Sequence, residues 1–222
     1  MAKEERQLVT PGEVIINDSE YLPGEGTEKR GEEIIAQKFG LVEISNRLVR
    51  IIPLSGTYIP RRGNVVIGEV RDITFNGWLI DIGAPSSGFL PLMECPRFIN
   101  KDEIGEFMGI GDVVVAKLLN AKIKSIDLTI KIKGLGKLEG GMVIKINSHK
   151  VPRVIGKEGS MINIIQDATQ CEIVVGQNGL VWINGKSIAD EILAKKAIMF
   201  VSDNSYLEGL TEKLQAWLVE QK

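Results

Sequence analysis

Val154-Ile155-Gly156-Lys157-Glu158-Gly159-Ser160-Met161-Ile162 is the stretch on which the reading of the fold turns. It sets two glycines two residues apart, where a short helical turn gives way to a longer helix over Met161-Ile162-Asn163-Ile164-Ile165-Gln166-Asp167-Ala168, with Ser160 as a candidate cap. The absent side chains let a polymer backbone approach the main chain closely. The amides that open the helix then face its anionic groups, which the helix dipole favours. Lys157 adds a mobile cation and Glu158 opposes it. Such glycine pairs recur by chance, so the surrounding order decides what this one means. Met142-Val143-Ile144-Lys145-Ile146 reads as a strand before it. Glu172-Ile173-Val174-Val175 and Leu180-Val181-Trp182-Ile183-Asn184 read as strands after it, joined through a hairpin turn at Gln177-Asn178-Gly179. The stretch from Ser187 to Val201 follows as an amphipathic helix with Ile188, Ile192, Leu193 and Ala197 on one face. In the closing stretch Leu207, Leu210, Leu214, Trp217 and Leu218 recur at helical spacing, which makes Trp217 a packing residue.

Upstream, Gly134-Leu135-Gly136 and Glu139-Gly140-Gly141 form a junction, and before it the period is that of strands. Val65-Val66-Ile67-Gly68-Glu69-Val70, Trp78-Leu79-Ile80-Asp81-Ile82, Phe89-Leu90-Pro91-Leu92, Val113-Val114-Val115-Ala116-Lys117 and a run from Ser125 to Lys133 give five short strands. A turn at Asn76-Gly77 joins the first two, and a longer insertion separates the third from the fourth, as in a small closed barrel of the OB type. Strand parity puts Trp78, Ile80 and Ile82 on one face, the barrel interior. Ahead of Pro60-Arg61-Arg62-Gly63, the runs Leu41-Val42-Glu43-Ile44 and Leu48-Val49-Arg50-Ile51-Ile52 flank Ser45-Asn46-Arg47 as a hairpin. The expected organisation is therefore multidomain α+β. Residues 1–60 form a β-rich unit, 61–136 a five-stranded barrel, and 137–222 a β-α-α-β-β-α module with a terminal helix.

Composition removes several chemistries. With 222 residues and 44% apolar content the chain suits two or three small modules, and 24 glycines fit many tight turns and short strands. His149 is the only histidine, expected in an exposed loop, and Cys95 and Cys171 are far apart, so neither a zinc site nor a histidine-dependent nucleophile is expected. No cofactor and no metal are expected. The charged start Met1-Ala2-Lys3-Glu4-Glu5-Arg6 and the lack of a membrane-length apolar run give a cytoplasmic expectation without membrane contact.

Charge is uneven. Lys117, Lys122, Lys124, Lys131, Lys133, Lys137, Lys145, Lys150, Arg153 and Lys157 face only Asp127 and Glu139 within the same stretch, a local balance of +8 in a chain of net charge −2. A polyanion is drawn to that part and repelled elsewhere. Residues 1–60 carry ten acidic and seven basic side chains, which suits docking against protein better than RNA.

The glycine loop within its β-α-α-β-β-α order resembles the KH domain, type I, whose loop clamps about four single-stranded nucleotides. The resemblance assigns that role to Gly156, Lys157 and Gly159, with Ile155 and Ile162 flanking them. Ser160, Lys150 and Arg153 are added as neighbours of the phosphate path. Gly77-Trp78-Leu79-Ile80-Asp81-Ile82-Gly83 and Gly88-Phe89-Leu90-Pro91-Leu92 resemble the OB domain named after ribosomal protein S-one. OB folds hold single strands by stacking and by cations, which nominates Phe75, Phe89, Lys122 and Lys124. Pro91 stands where many members of that family have a histidine.

Over its full length the chain resembles the RNA-binding cap subunit of the archaeal exosome, of the ribosomal-RNA-processing-protein-four type. Thr10-Pro11-Gly12-Glu13, Tyr21-Leu22-Pro23-Gly24-Glu25-Gly26-Thr27 and Ile52-Pro53-Leu54-Ser55-Gly56-Thr57-Tyr58-Ile59-Pro60 carry that resemblance. It implies a non-catalytic subunit, three copies of which sit on a hexameric ring of RNase PH-like phosphorolytic subunits, alone or mixed with another cap subunit. Such a subunit recruits single-stranded 3′ RNA tails, with a leaning towards adenine-rich RNA, for 3′-to-5′ degradation and processing. Arg61 and Arg62 at the domain junction serve either the ring or the RNA. The rival readings are a polynucleotide-phosphorylase-like nuclease, a free-standing RNA chaperone or translation-related factor, and an assembly clamp with vestigial RNA domains.

Overall fold

A computed structural model of the chain describes residues 7–122, 125–207 and 209–221. The backbone divides into two compact units, Met1–Gly56 and Thr57–Lys222.

The first unit is all β. Strands β1 (Leu8–Val9), β6 (Gly40–Ser45), β7 (Leu48–Pro53) and β3 (Leu22–Pro23) make one sheet, in that order. Strands β2 (Val14–Asn17), β5 (Glu33–Ala36) and β4 (Thr27–Arg30) make the other. Val9, Ile34, Ala36, Val42, Val49 and Ile51 fill the space between. The β6–β7 hairpin expected from the sequence turns through Asn46 and Arg47, both at positive φ (49° and 65°), as the tightest hairpins require. The loop rich in breakers is pinned rather than loose. Gly24 N–H donates to the Val49 carbonyl at 2.8 Å, and Thr27 Oγ1 donates to the same oxygen at 3.0 Å. A Cβ on Gly24 would stand 2.9 Å from that oxygen, so the loop lies on β7 only because the side chain is missing.

In the second unit β8 (Val65–Thr74), β9 (Gly77–Asp81), β10 (Gly88–Pro91), β11 (Val113–Lys122) and β12 (Ser125–Thr129) close into a barrel. Closure comes from β12, which runs parallel to β10 and antiparallel to β11. Trp78, Ile80, Ile82, Leu90, Val114, Leu118 and Leu128 are buried inside, as parity required. The Trp78 indole N–H, which a dry core would otherwise leave unpaired, donates to the Met108 carbonyl at 2.9 Å. Met108 follows the short helix α1 (Ile104–Phe107) of the long insertion. Strand β13 (Gly136–Leu138) adds to the outside of β11.

The remaining elements run β14 (Met142–Lys145), α2 (Val151–Ile155), α3 (Ser160–Thr169), β15 (Glu172–Val175), β16 (Leu180–Asn184), α4 (Ile188–Asp203) and α5 (Leu210–Glu220). This is the β-α-α-β-β-α order with an added helix, on a sheet ordered β14-β16-β15. One face of that sheet, through Ile144, Ile173, Val181 and Ile183, packs on α2, α3, α4 and α5. The other face sends Trp182, with Val174 and Leu180, onto Ile67 and Val115 of the barrel exterior. Burying one tryptophan at such a seam contributes on the order of 3 kcal/mol.

Three local expectations are corrected. Helix α4 buries Ala194, Ala197, Ile198 and Val201, whereas Ile188 is 73% and Ile192 42% exposed; the stripe facing the core is narrow and built partly of alanine. Ser160 does not cap α3. Gly159, left-handed at φ 81°, holds the cap position and makes no side-chain bond, and Ser160 is the first helical residue. His149 is half-buried rather than exposed, in a 3-10 turn whose His149 N–H donates to Asn147 Oδ1 at 3.0 Å.

Candidate nucleic-acid interface

Between α2 and α3 the chain must turn within four residues, and it does so with unusual backbone angles. Gly156 sits at φ 76°, ψ 176°, and Gly159 at φ 81°, ψ 5°. Glu158 takes φ 54° without being a glycine, a left-handed conformation that costs an L residue about 1–2 kcal/mol. The two glycines do different work. A Cβ on Gly156 would lie 2.7 Å from Met161 N, while one on Gly159 would meet nothing nearer than 3.7 Å. Gly156 therefore permits close packing on the first turn of α3, and Gly159 supplies conformation and leaves its surroundings open. Lys157, Glu158 and Ser160 are exposed. The result is a bare, outward-facing loop in front of a ten-residue helix, suited to taking an anionic backbone.

The cations predicted to accompany the loop divide. Arg153 is exposed on α2, but its Nη2 donates to the Leu207 carbonyl at 2.6 Å, tying α2 to the segment after α4. Lys150 is half-buried immediately before α2. Lys137 and Lys131 are engaged elsewhere, with Asp112 at 2.7 Å and Glu94 at 3.6 Å. The hydrogen bond from Lys137, with that from the Gly109 amide, holds the Asp112 carboxyl below its usual range. The basic stretch is thus spread over β11, β13, β14 and the helices and does not form one stripe. Lys122 is exposed at the end of β11; Lys124 lies outside the described residues.

On the barrel, Phe75 is 77% exposed at the tip of the β8–β9 turn, and Phe89 is half-buried on the outer face of β10. Arg61 and Arg62 are exposed in the turn before β8, where Asn64 Oδ1 accepts from Arg61 N–H and from Tyr58 O–H. The glycine loop belongs to the helical layer, so the sheet separates it from the barrel. The structure accordingly brings Gly156, Lys157, Gly159, Ser160, Arg153 and Lys150 together around one turn. It keeps Lys122, Phe75, Phe89, Arg61 and Arg62 on the barrel.

From the sequence, Gln177-Asn178-Gly179 reads as a plain hairpin turn. In the structure this turn closes the seam between sheet and barrel. Strand β8 extends past the end of β9, which leaves the backbone of Val65 and Ile67 without a strand partner on that side. The turn takes the vacant place. Ile67 N–H donates to Asn178 Oδ1 at 3.3 Å, and Asn178 Nδ2 donates to the carbonyls of Ile67 and Ile82 at 2.7 and 2.9 Å. Gln177 N–H donates to the Val65 carbonyl at 2.8 Å, and Val65 N–H to Gln177 Oε1 at 3.3 Å. Buried main-chain groups are nearly always paired, and here Asn178 and Gln177 together stand in for a strand. Their partners lie 96 to 112 residues away in sequence, so no local signal announced them.

Burial pushes the Cys95 thiol up to about 11 and also raises Cys171, so both stay protonated at neutral pH. Among the described residues no cluster of His, Cys, Asp and Glu is placed to hold a metal, and no helix is long and apolar enough to cross a membrane.

Comparison with known proteins gives the following. Residues 141–189 match the KH domain model, and residues 8–45 match the model of the N-terminal region of the exosome complex exonuclease RRP4. The chain is 41% identical to exosome complex component Rrp4 of Methanobrevibacter smithii, over 96% of this chain and 70% of that protein. It is 39% identical to the Pyrococcus abyssi component of the same name, over 98% and 84%. A crystal structure of a protein assigned as an exosome complex RNA-binding protein superposes with TM-score 0.67 at 30% identity, over 75% of this chain and 97% of that one.

Proposed function

This chain belongs to the Rrp4 family of exosome complex components, and from that premise we propose that it is a non-catalytic RNA-binding subunit which recruits single-stranded 3′ tails to a phosphorolytic ring. One observation carries the reading: the glycine loop stands exposed at the start of α3, with Lys157 on it and Lys150 and Arg153 on the turn before. A loop of that shape offers amides and cations to a phosphate chain. Grip of this kind is modest per copy, and three copies on one ring would raise effective affinity without any new contact. The β-rich first unit, with its acidic excess, is the part suited to the protein side of the assembly. Adenine-rich tails are the favoured substrate in this reading.

The test measures RNA binding by the assembled complex at several salt concentrations, with the mass of the native complex recorded on the same sample. Three copies per ring are expected, with log affinity falling against log salt by about 0.7 per phosphate contacted. Replacing Gly156 and Gly159 together by Asp should cut RNA recruitment roughly tenfold or more while the complex mass stays the same. Unchanged recruitment in that variant, or phosphate-dependent RNA turnover by the purified chain alone, would overturn the reading.

A further inference from the structure

The outer face of the barrel carries an acid where a surface for RNA would be expected to carry a base. Leu79, Phe89, Asp127 and Asn120 are successive register partners on β9, β10, β12 and β11. Trp78, Ile80, Leu90, Ile126 and Leu128, which flank the first three, are buried in the barrel core; on β11 a bulge between Leu118 and Asn120 shifts the alternation, so that Ala121, next to Asn120, packs against the core. All four side chains of the row therefore point outward. Asn120 Nδ2 donates to Asp127 Oδ2 at 3.4 Å, which orients the carboxylate and leaves its second oxygen open among the described residues. Neighbouring strands lie about 4.8 Å apart. A flat ring stacked on Phe89 consequently brings its edge to the Asp127 carboxylate. On the same outer face of β11, two residues beyond Asn120, Lys122 is exposed and pairs with Ser125.

A carboxylate cannot hold a phosphate. What it can do beside a stacking ring is accept hydrogen bonds from amino and imino groups of a base. Resting on the RNA-binding reading above, we infer that Asp127 is a specificity-determining residue: the Phe89–Asp127–Asn120 row takes bases that carry an exocyclic amino group and rejects uracil. Cytosine and adenine each present an amino donor to the carboxylate, and guanine presents an amino and an adjacent imino donor. Uracil has no amino group, and its one imino donor lies between two carbonyl oxygens that a carboxylate repels. Selection works by exclusion as much as by attraction.

Cytosine and uracil isolate the effect, since they differ where one has an amino group and the other a carbonyl. Fluorescence anisotropy of the full chain with equal-length oligo(C) and oligo(U), at one salt concentration, should show oligo(C) bound roughly tenfold more tightly, within the range of a good base contact. Asp127→Asn, whose amide can donate as well as accept, should bring that ratio to within about twofold. Asp81→Asn, on the outward acid bonded to Arg71, should change both affinities alike and keep the ratio. Retention of the wild-type ratio in Asp127→Asn, or equal binding of the two tracts by the wild type, overturns the assignment and leaves the RNA-binding reading standing. Failure of the wild type to bind either tract overturns both.

Discussion

The second unit contains two Gly-x-x-Gly turns with opposite fates. Gly156-Lys157-Glu158-Gly159 holds its middle pair out to solvent in the helical layer, while Gly176-Gln177-Asn178-Gly179 is pressed into the barrel, with Asn178 only 6% exposed. Both use glycine for room. A Cβ on Gly156 would press on the backbone of Met161, and a Cβ on Gly176 would lie 2.8 Å from Ile67 N. What separates them is the middle pair. Lys157 and Glu158 carry charges that must stay in water unless a counter-charge arrives. Gln177 and Asn178 carry amides, which offer both donor and acceptor and so satisfy a strand edge on their own. The spacing of glycines makes a tight turn in each case, and the side chains between them decide whether it meets solvent or protein.

The largest effect that sharpens this contrast is expected at Asn178. Asn178→Ala strands the Ile67 N–H and the Ile67 and Ile82 carbonyls in a buried seam and should lower stability by about 3 kcal/mol, measured by urea unfolding. An unchanged midpoint would mean that the second turn is no more structural than the first. Next comes the pair Gly156→Ala and Gly159→Ala. The first adds a steric clash to an unfavourable backbone conformation and should destabilise by about 2 kcal/mol. The second meets only the conformational penalty, about 1 kcal/mol, so equal thermal shifts would refute the division of labour between the two glycines. The smallest effect belongs to Lys157→Ala, which should leave the unfolding midpoint alone. It should make the salt dependence of RNA binding shallower by about 0.7, one single-strand phosphate contact.

Much of this was legible from the sequence. Strand parity placed Trp78 inside the barrel, and the hairpin between Leu41 and Ile52 followed from two apolar runs around a short turn. Helix α3 and the order of elements around it followed from periodicity and breakers. The failures share a cause. The buried face of α4 rests on Ala194 and Ala197, whose small side chains fit a close helix contact but weigh little in a search for apolar stripes. Ile188 and Ile192 attracted the assignment and proved to be exposed. Ser160 was offered as a cap because its chemistry suits one, but the left-handed Gly159 already ends the loop. The roles of Asn178 and Asp127 depend on neighbours brought by tertiary structure, Ile67 in one case and Phe89 in the other. The signal for Asp127 was present in part: an acid inside a stretch otherwise rich in lysine, at a strand position whose parity faces outward.

The three-stranded sheet of the second unit is occupied on both faces, by helices through Val181 and Ile183 and by the barrel through Trp182. Dissection of the protein at the glycine junction would thus produce two adhesive fragments, one baring an indole and the other a greasy flank around Ile67 and Val115. Binding measured on either half alone would report on those freshly uncovered surfaces as much as on RNA, so the barrel and the helical module need to be assayed in one piece.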